Sequence, residues 1–592
     1  MRVYIDTETY SEIELKKSNV YRYTEHPSFE LLVFAYAIDD GPVTVLTDVS
    51  LVRSLLHRWR STATFVAHNA GFDRIVLSRV LGLPFGKYLP PEQWDDTAAR
   101  AAEHGWPREL AKLAVALGVT PKDSAGTRLI NTFSKLQKKG RIRPEDKPEL
   151  FEEFKAYCGN DVETLREVDR VLHAWPQRER DLWNLDQKIN DRGILIDVAL
   201  AEGCRDAAQA NAAAARREMI DITGIQNPNS NPQLTAWLAD QGVHIDNLQA
   251  RTLDDLRRQP HLFSDDVNRV LVLRAEIAVA SSNKYDAALR GVSRDGRLRG
   301  QFKFHEALTG RWSSKGFQVH NMPREAFESR DIEHAAIADI KIGLGASSQT
   351  LKQLVRPTLI INGCVSDFSS IEARVLAWLA GEQWVLDAFR EGRDLYVETA
   401  KAMGGLSRAQ GKIAVLACGY QGAVPSLNNM GYVADDAQEI VDRWRAANPR
   451  IVQFWRDLES GFRHGVDVGR LKIIKDDRDR YVRLPSGRVL TYRDVAAGSR
   501  LSYAHVQGRR DDTYGGKLTE NVTQAVARDL LADAMIRLDR AGYPIVGHIH
   551  DEVMIEHDDV AGVQAVMKTG PSWAAGLPLD ASADSLFRYA KT

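Results

Sequence analysis

The chain has 592 residues, 44% hydrophobic, 27% charged and 8% aromatic, enough at roughly 150 residues per domain for about four domains with cores of their own. Lysine and arginine total 78 and aspartate and glutamate 80, so the formal net charge is −2. That excludes a small basic DNA-coating protein and an acidic disordered chain, but not a large enzyme that sets a basic groove beside an acidic centre. The four cysteines, Cys158, Cys204, Cys364 and Cys418, are scattered without a CxxC pair, which argues against a zinc module or disulfide scaffold and fits a reducing compartment. The N-terminus, MRVYIDTETYSEIEL, carries acids where a signal peptide needs an apolar stretch, and the longest strongly apolar run, Leu31 to Ile38, is far short of the ~20 residues that span a bilayer. A soluble, cytoplasmic protein without a membrane partner is expected.

In chain order, short β-rich runs at Arg2 to Ile5, Phe29 to Ile38 and Ala63 to Ala67 alternate with an apolar-periodic stretch from Phe72 to Leu81. The alternation predicts an α/β domain closing near Trp175-Pro176, after a helix from about Glu149 to Leu172. Before that helix lies a basic segment, KLQKKGRIR, from Lys135 to Arg143, readable as a solvated loop or as a phosphate-contacting one. From about Gln177 to Leu298 the pattern is mostly helical, including the alanine-rich run Ala207 to Glu218. Strands return at Leu359 to Val365, at the hairpin-like RYVRLPSGRVLTY from Arg480 to Tyr492, and at Ile545 to Ile555.

Two constellations carry chemistry. In the first, Asp6 and Glu8 are expected at the exit of the N-terminal strand, Asp73 where Asn69-Ala70-Gly71-Phe72 opens a helix, and Tyr157 and Asp161 four apart on one face of a later helix, ~6 Å along its axis. That face borders the apolar stripe of Phe151, Phe154, Cys158 and Leu165, an expensive place for a carboxylate without a cation. Four acids from three segments suit a pair of Mg²⁺ or Mn²⁺ ions acting on water and a scissile phosphate.

In the second, a strand ends at Asp367 and an amphipathic helix follows with Ile371, Val375 and Leu379 on one face and Glu372 on another, while IVGHIHDEVMIE reads as two strands around the turn His550-Asp551-Glu552. Asp367 and Asp551 are the natural pair to hold two Mg²⁺ ions for in-line phosphoryl transfer. A His-x-His zinc site at His548 and His550 is the other reading of that turn, without obvious companion ligands. Between the acids, RAQGKIAVLACGYQG spaces Arg408, Lys412, Leu416 and Tyr420 four apart, a stripe that is cationic at one end and apolar or aromatic at the other. Such a helix suits a triphosphate at its basic end and a base or sugar at the other.

The first constellation resembles the DEDD-type 3′–5′ proofreading exonucleases, with the Y-x-x-x-D form of the third motif. The second resembles family A (DNA polymerase I-like) DNA polymerases: DFSSIEARVLAWLAGE and DAFREGRDLYVETA, the RAQGKIAVLACGYQG helix, HIHDEV, and upstream TGRWSS (309–314) with VHNMP (319–323). The resemblance spans nearly the whole chain. It implies a multidomain α/β and α+β architecture, a ribonuclease H-like exonuclease domain (1–176) followed by a right-hand polymerase: thumb (177–299), palm (300–385 and 506–592) and fingers with a connecting hairpin (386–505).

It also implies roles. Asp6, Glu8, Asp73 and Asp161 bind metal and Tyr157 positions water, with Asn69 as a helper. Asp367, Asp551 and the Phe368 carbonyl bind metal, supported by Glu552. Arg408 and Lys412 meet the triphosphate of an incoming dNTP, Lys412 serving as acid for pyrophosphate departure. Glu372 crowds the sugar 2′ position, and Leu416 and Tyr420 border the nucleotide. Arg311, Asn321, Gln524 and His550 touch the DNA primer–template near the primer end.

The sequence departs from the family at Leu416, where an aromatic residue is usual, and at Phe368, Ser370, His320 and Tyr396, which replace Tyr, Gln, Gln and His. Gly516 and Glu520 stand where the family has Arg and Asn, with Asn521 as a substitute for that Asn. The chain begins directly with the exonuclease, an economy that resembles a bacteriophage replicative enzyme in a bacterial cytoplasm. A processivity factor or helicase partner is not legible. The alternatives are an exonuclease with an inactive polymerase-like DNA-binding module, a non-enzymatic scaffold, and a single-subunit RNA polymerase, which Glu372 and the attached exonuclease count against.

Overall fold

The computed structural model describes residues 1–120, 126–277, 280–505 and 509–590. Its N-terminal sheet comprises β1 (Arg2–Tyr10), β2 (Glu30–Ile38), β3 (Thr44–Leu46), β4 (Thr64–Ala67) and β5 (Trp94–Asp96), in the order β3-β2-β1-β4-β5. β1 runs antiparallel to β2 and β2 to β3, whereas β1–β4 and β4–β5 are parallel. This is a mixed five-stranded sheet. One expectation is corrected: β1 does not end at Ile5. Its pairing with β2 continues past Asp6 (opposite Ala35) and Glu8 (opposite Val33) to Tyr10. The two carboxylates therefore lie inside the strand rather than at its exit. A paired neighbour extends a strand through polar residues that local pattern reads as a turn.

Strand alternation divides β1 between two cores. Val3 and Ile5 pack with Phe34, Val52 and Trp94, behind helix α1 (Gly71–Val80). Tyr4 and Tyr10 pack with Leu129, Phe133, Phe154 and Val162, under helices α2 (Gly126–Phe133) and α3 (Pro148–Val171). Helix α4 (Gln177–Arg192) then leads into the second half of the molecule, placing Leu182 and Trp183 in the first core and Leu185 and Ile189 in the largest one.

β6 (Ile194–Ile196) precedes the long helix α5 (Val198–Thr223) and the helices Asn231–Asp240, Ala250–Arg257, Asp265–Ile277 and Ala280–Gly291. The end of α5 and the next three of these helices surround a small separate core that includes Met219, Leu234, Leu238 and Val270, whereas Ala280–Gly291 places Tyr285 and Ala288 in the largest core. β7 (Arg297–Leu298), the pair β8 (Phe302–Lys303) and β9 (Ser313–Ser314), and β10 (Leu359–Phe368) follow. Helices α6 (Ile371–Ala380) and α7 (Arg408–Cys418) belong to the next, largely helical stretch. A meander of β11 (Lys472–Asp476), β12 (Asp479–Arg483), β13 (Val489–Ala497), β14 (Leu501–Ala504) and β15 (Arg510–Thr513) leads to helix α8 (Gly515–Arg540) and strands β16 (Ile545–Ile549), β17 (Glu552–Ile555) and β18 (Ala581–Arg588).

The second sheet has the order β16-β17-β10-β6-β7, with β18 also beside β10. The ends of the 177–299 segment thus lie in the sheet that carries β10, not with the intervening helices, because β6 and β7 complete pairing that β10 begins. α8 is buried over most of its circumference, from Leu518 to Leu538, and backs this sheet. The four cysteines are buried and unbridged, and no described helix is long and apolar enough to cross a membrane.

Candidate active sites

The first centre forms where β1, α1 and α3 meet. On β1 the α3-facing residue Asp6 accepts from the Cys158 thiol, Sγ to Oδ2 3.2 Å. Burial, then Asp6 and Glu8, push that thiol well above its ordinary value, so it remains a protonated donor. Asp73, in the first turn of α1 and 4% exposed, accepts from Thr7 Oγ1 at 2.6 Å. Its carboxyl is pushed well upward, first by burial and then by Asp6. Tyr157 and Asp161 are buried one turn apart on α3, 2% and 3% exposed, as their spacing predicts. Asn69 takes a left-handed conformation (φ 68°) before α1, its N–H donating to Asp96 Oδ1 at 3.0 Å. Asp6, Glu8 and Asp161 lie around the Cys158 thiol, Asp73 is close enough to Asp6 for its charge to be felt, and Tyr157 is one turn before Asp161 on α3.

The second centre lies at the ends of β10, β16 and β17. Asp367 is the penultimate residue of β10 and faces Glu552 across the β10–β17 ladder. Asp551 occupies the turn between β16 and β17, preceded by His550 at φ 56°, and its carbonyl accepts from Phe368 N–H at 3.3 Å. Burial, and next Asp367, lift the Asp551 carboxyl to about 7. Burial also lifts Glu552 to about 8, with Asp367 adding to the rise and a hydrogen bond from Tyr589 opposing it. Arg356 joins this group: Nη1 donates to Tyr589 Oη at 3.0 Å and Nε to the Pro323 carbonyl at 2.7 Å.

Hard oxygen donors, and carboxylates that raise one another's affinity for protons, suit a divalent cation, which relieves the same repulsion. Buried Glu552 Oε1 has no hydrogen-bond partner among the described residues. Among the described residues no group of three or more His, Cys, Asp or Glu side chains is placed to hold a metal ion as the side chains stand. An Mg²⁺ ion held by two carboxylates would leave its other positions to water and substrate phosphate. The zinc reading of His548 and His550 fails: His548 is 1% exposed and stacked 4.4 Å from Phe302, with Trp312 edge-on at 4.7 Å.

Beside the second centre, Glu372 in the first turn of α6 accepts from Tyr420 Oη at 2.8 Å and from Arg311 Nη2. Ser370, at φ 52°, starts that helix. α7 opens with a Ser407–Gln410 capping box and exposes Arg408, Lys412 and Leu416 along one face. The helix ends at Cys418, so the expected four-residue stripe stops at Leu416. Tyr420 lies on the following turn, where Gly419 is fixed through its carbonyl by Trp455 Nε1 at 3.1 Å, and this turn is what delivers the phenol to Glu372. A cavity of about 200 Å³ lies between α6 and α7, lined in part by Glu372, Leu376, Val415, Leu416 and Tyr420. Arg408 Nε pairs with Asp394 Oδ2 at 2.8 Å, and its guanidinium lies 5.3 Å from the Tyr396 ring.

Asn321 and His550 are exposed, and the His320 and His550 rings stack at 5.5 Å. Gln524 donates to Glu520 Oε1 at 3.1 Å. Asn521 does not substitute for an outward-facing Asn: it is 7% exposed and its Nδ2 donates to Tyr492 Oη at 3.1 Å.

Sequence reasoning missed the buried ion network that fixes the turn before Arg311. Arg528 donates to both oxygens of Glu179 at 2.8 Å and from Nε to the Gly310 carbonyl at 2.9 Å. Arg488 bonds Asp529 Oδ1 at 2.7 Å and the Thr309 carbonyl at 2.8 Å. All four charged side chains are at most 3% exposed. The signal was the Arg528-Asp529 pair inside the otherwise apolar run of α8, where a lone charge is costly.

Comparison with known proteins gives the class first: the family model for DNA polymerase family A matches residues 199–580. The chain belongs to that family and is a DNA-directed DNA polymerase. The DNA polymerase of Bacillus phage SP02 is 38% identical, with 98% of each chain covered. The thermostable DNA polymerase I of Thermus thermophilus is 25% identical over 71% of this chain, which spans 48% of that relative's length. Among solved structures, the POL domain of Pol1 from M. smegmatis, in complex with DNA primer-template and dNTP, shares the fold with a TM-score of 0.61 at 16% identity, covering 98% of this chain and 94% of that one.

Proposed function

We propose that the chain replicates phage DNA by extending a DNA primer with dNTPs on a template, and edits the product with its own 3′–5′ exonuclease. The proposed division is exonuclease at 1–176, thumb within 177–299, palm at 300–385 and 506–592, and fingers at 386–505. The observation that carries the reading is that one chain holds two acidic centres on two different sheets. The phage origin of the 38% identical relative supports the replicative role.

In the polymerase centre Asp367, Asp551 and the Phe368 carbonyl would hold Mg²⁺, and in the exonuclease centre Asp6, Glu8, Asp73 and Asp161 would do so, with Mn²⁺ as a substitute. Such ions, two per centre, supply Lewis-acid stabilisation of phosphate charge and activation of the attacking oxygen. Glu552, tied to Tyr589, supports the Asp367–Asp551 pair. Arg408 and Lys412 take the triphosphate. The Arg408–Asp394 pair is exposed, 57% and 38%, and such pairs hold by only about 0–1 kcal/mol, so exchange to phosphate is cheap. Lys412 protonates departing pyrophosphate. Glu372 fills the space beside the sugar 2′ carbon, Tyr420 borders the nascent base pair, and Leu416 gives it an aliphatic contact. Arg311, Asn321, Gln524 and His550 meet the duplex near the primer end. In the exonuclease centre Tyr157 orients the attacking water.

The test is a labelled primer–template with Mg²⁺, with and without dNTPs. The unsubstituted chain extends with dNTPs and shortens without them. Asp551→Ala abolishes extension and spares shortening, and Asp6→Ala does the reverse. Loss of both activities in either single variant contradicts two separate centres.

A further inference from the structure

A basic hairpin beside the exonuclease centre is not used by the roles assigned above. After α2 the chain turns back on itself, with Gln137 and Gly140 exchanging backbone hydrogen bonds at 3.3 and 3.0 Å. The segment 135–143 holds Lys135, Lys138, Lys139, Arg141 and Arg143 and no acid, in a chain whose net charge is −2. Lys135, Lys138, Lys139 and Arg143 are exposed.

Two anchors register this hairpin to the centre. Arg141 lies 4.0 Å from the Tyr10 ring and pairs with Glu30, which sits opposite Tyr10 in the sheet. Tyr10 shares the α3-facing side of β1 with Glu8, two residues and ~7 Å along the strand. At the other end Phe133 stacks on Phe154 at 5.5 Å, and Phe154 stacks on Tyr157 at 6.3 Å. Gly126, the first residue of α2, lies so close to the Tyr157 ring that a Cβ there would collide with it. Arg141 is neutralised by Glu30 and serves as anchor, whereas Lys135 donates to the neutral Asn131 and keeps its charge. Lys17 pairs with Glu14, so the loop after β1, with two Glu and two Lys, adds no net positive charge to that of the hairpin.

A solvated loop needs neither anchor nor a single sign of charge. We propose that the hairpin Lys135–Arg143 is a phosphate-binding guide that leads single-stranded DNA into the exonuclease centre. The inference rests on the exonuclease reading above and adds the strand's path.

The test uses the full chain and the triple variant Lys135→Ala, Lys138→Ala, Lys139→Ala. Degradation of a single-stranded oligonucleotide is measured with Mg²⁺ over a range of salt, and extension of a matched primer serves as control. Each lost phosphate contact lowers the slope of log affinity against log salt by ~0.7, so a fall of about 2 is expected. KM should rise while kcat and matched-primer extension stay unchanged. Separately, with EDTA, the oligonucleotide should protect Lys135, Lys138 and Lys139 of the unsubstituted chain from acetylation. An unchanged KM and salt slope, or no protection, overturns the guide even if degradation is intact. Failure of the unsubstituted chain to degrade the oligonucleotide overturns the exonuclease reading and the guide with it. The protection readout separates the two failures.

Discussion

Replacing Glu372 with Ala tests the link between the sugar-binding space and its supports. The Glu372 carboxylate is held by two donors, Tyr420 Oη at 2.8 Å and Arg311 Nη2. In the role proposed for Glu372, a ribose 2′-hydroxyl would enter only if the carboxylate gave up one of them. A hydrogen bond to a charged group is worth ~1.5–3 kcal/mol, so the displacement disfavours ribonucleotides by roughly 10- to 150-fold. Glu372→Ala removes that penalty, and the ratio of kcat/KM for dNTP over rNTP should fall by that factor. Tyr420→Phe leaves only Arg311 and should produce a smaller fall. The pair is partly exposed, Arg311 28% and Glu372 37%, so its loss should cost the fold ~1 kcal/mol or less. The assay is single-nucleotide incorporation in an Asp6→Ala background, where degradation does not distort the ratio. An unchanged ratio in Glu372→Ala refutes the reasoning.

Other outcomes follow from close packing and from buried charge. At Gly411 a Cβ would collide with the Tyr396 carbonyl, so Gly411→Ala should lift α7 off the neighbouring helix Leu395–Ala402. Overpacking of this kind costs ~1–3 kcal/mol, and KM for dNTP should rise while single-strand degradation is unaffected. Glu179→Gln leaves Arg528 short of its main partner and should destabilise by ~3–5 kcal/mol, read as faster loss of extension activity on heating. Burial opposes ionisation of Glu179, but Arg528 prevails and holds the carboxyl below its ordinary value. A depressed folded-state value gives stability that is complete above the unfolded value, ~4.3, and lost as pH falls through the folded one. The gap between the unsubstituted chain and Glu179→Gln should therefore be full at pH 7 and shrink below about pH 4.

The buried network and the Glu372 carboxylate are mechanically continuous. Arg528 and Arg488 hold the carbonyls of Gly310 and Thr309, the next residue is Arg311, and Arg311 reaches Glu372. Glu179 lies on α4, so the helix joining the two halves of the chain braces the turn that carries a candidate DNA contact.

Much of both centres was readable because it depends on short-range geometry. Tyr157 and Asp161 share a helix face because of the 3.6-residue period, Asp73 opens α1 after a short strand, and Asp551 falls in a tight turn between two apolar runs. The family motifs added the roles, not the contacts. Only the tertiary structure decided where β1 ends, because its last residues are strand by virtue of β2, whose pairing partner lies about 20 residues on. It ended α7 at Cys418 and so turned Tyr420 toward Glu372, and it drew β6 and β7 into the sheet of β10. Glu179 and Arg528 stand 349 residues apart, and no local pattern names such partners. Spacing and periodicity act within a few residues along the chain. Burial, charge pairing and sheet completion are settled by whichever residues the fold makes neighbours.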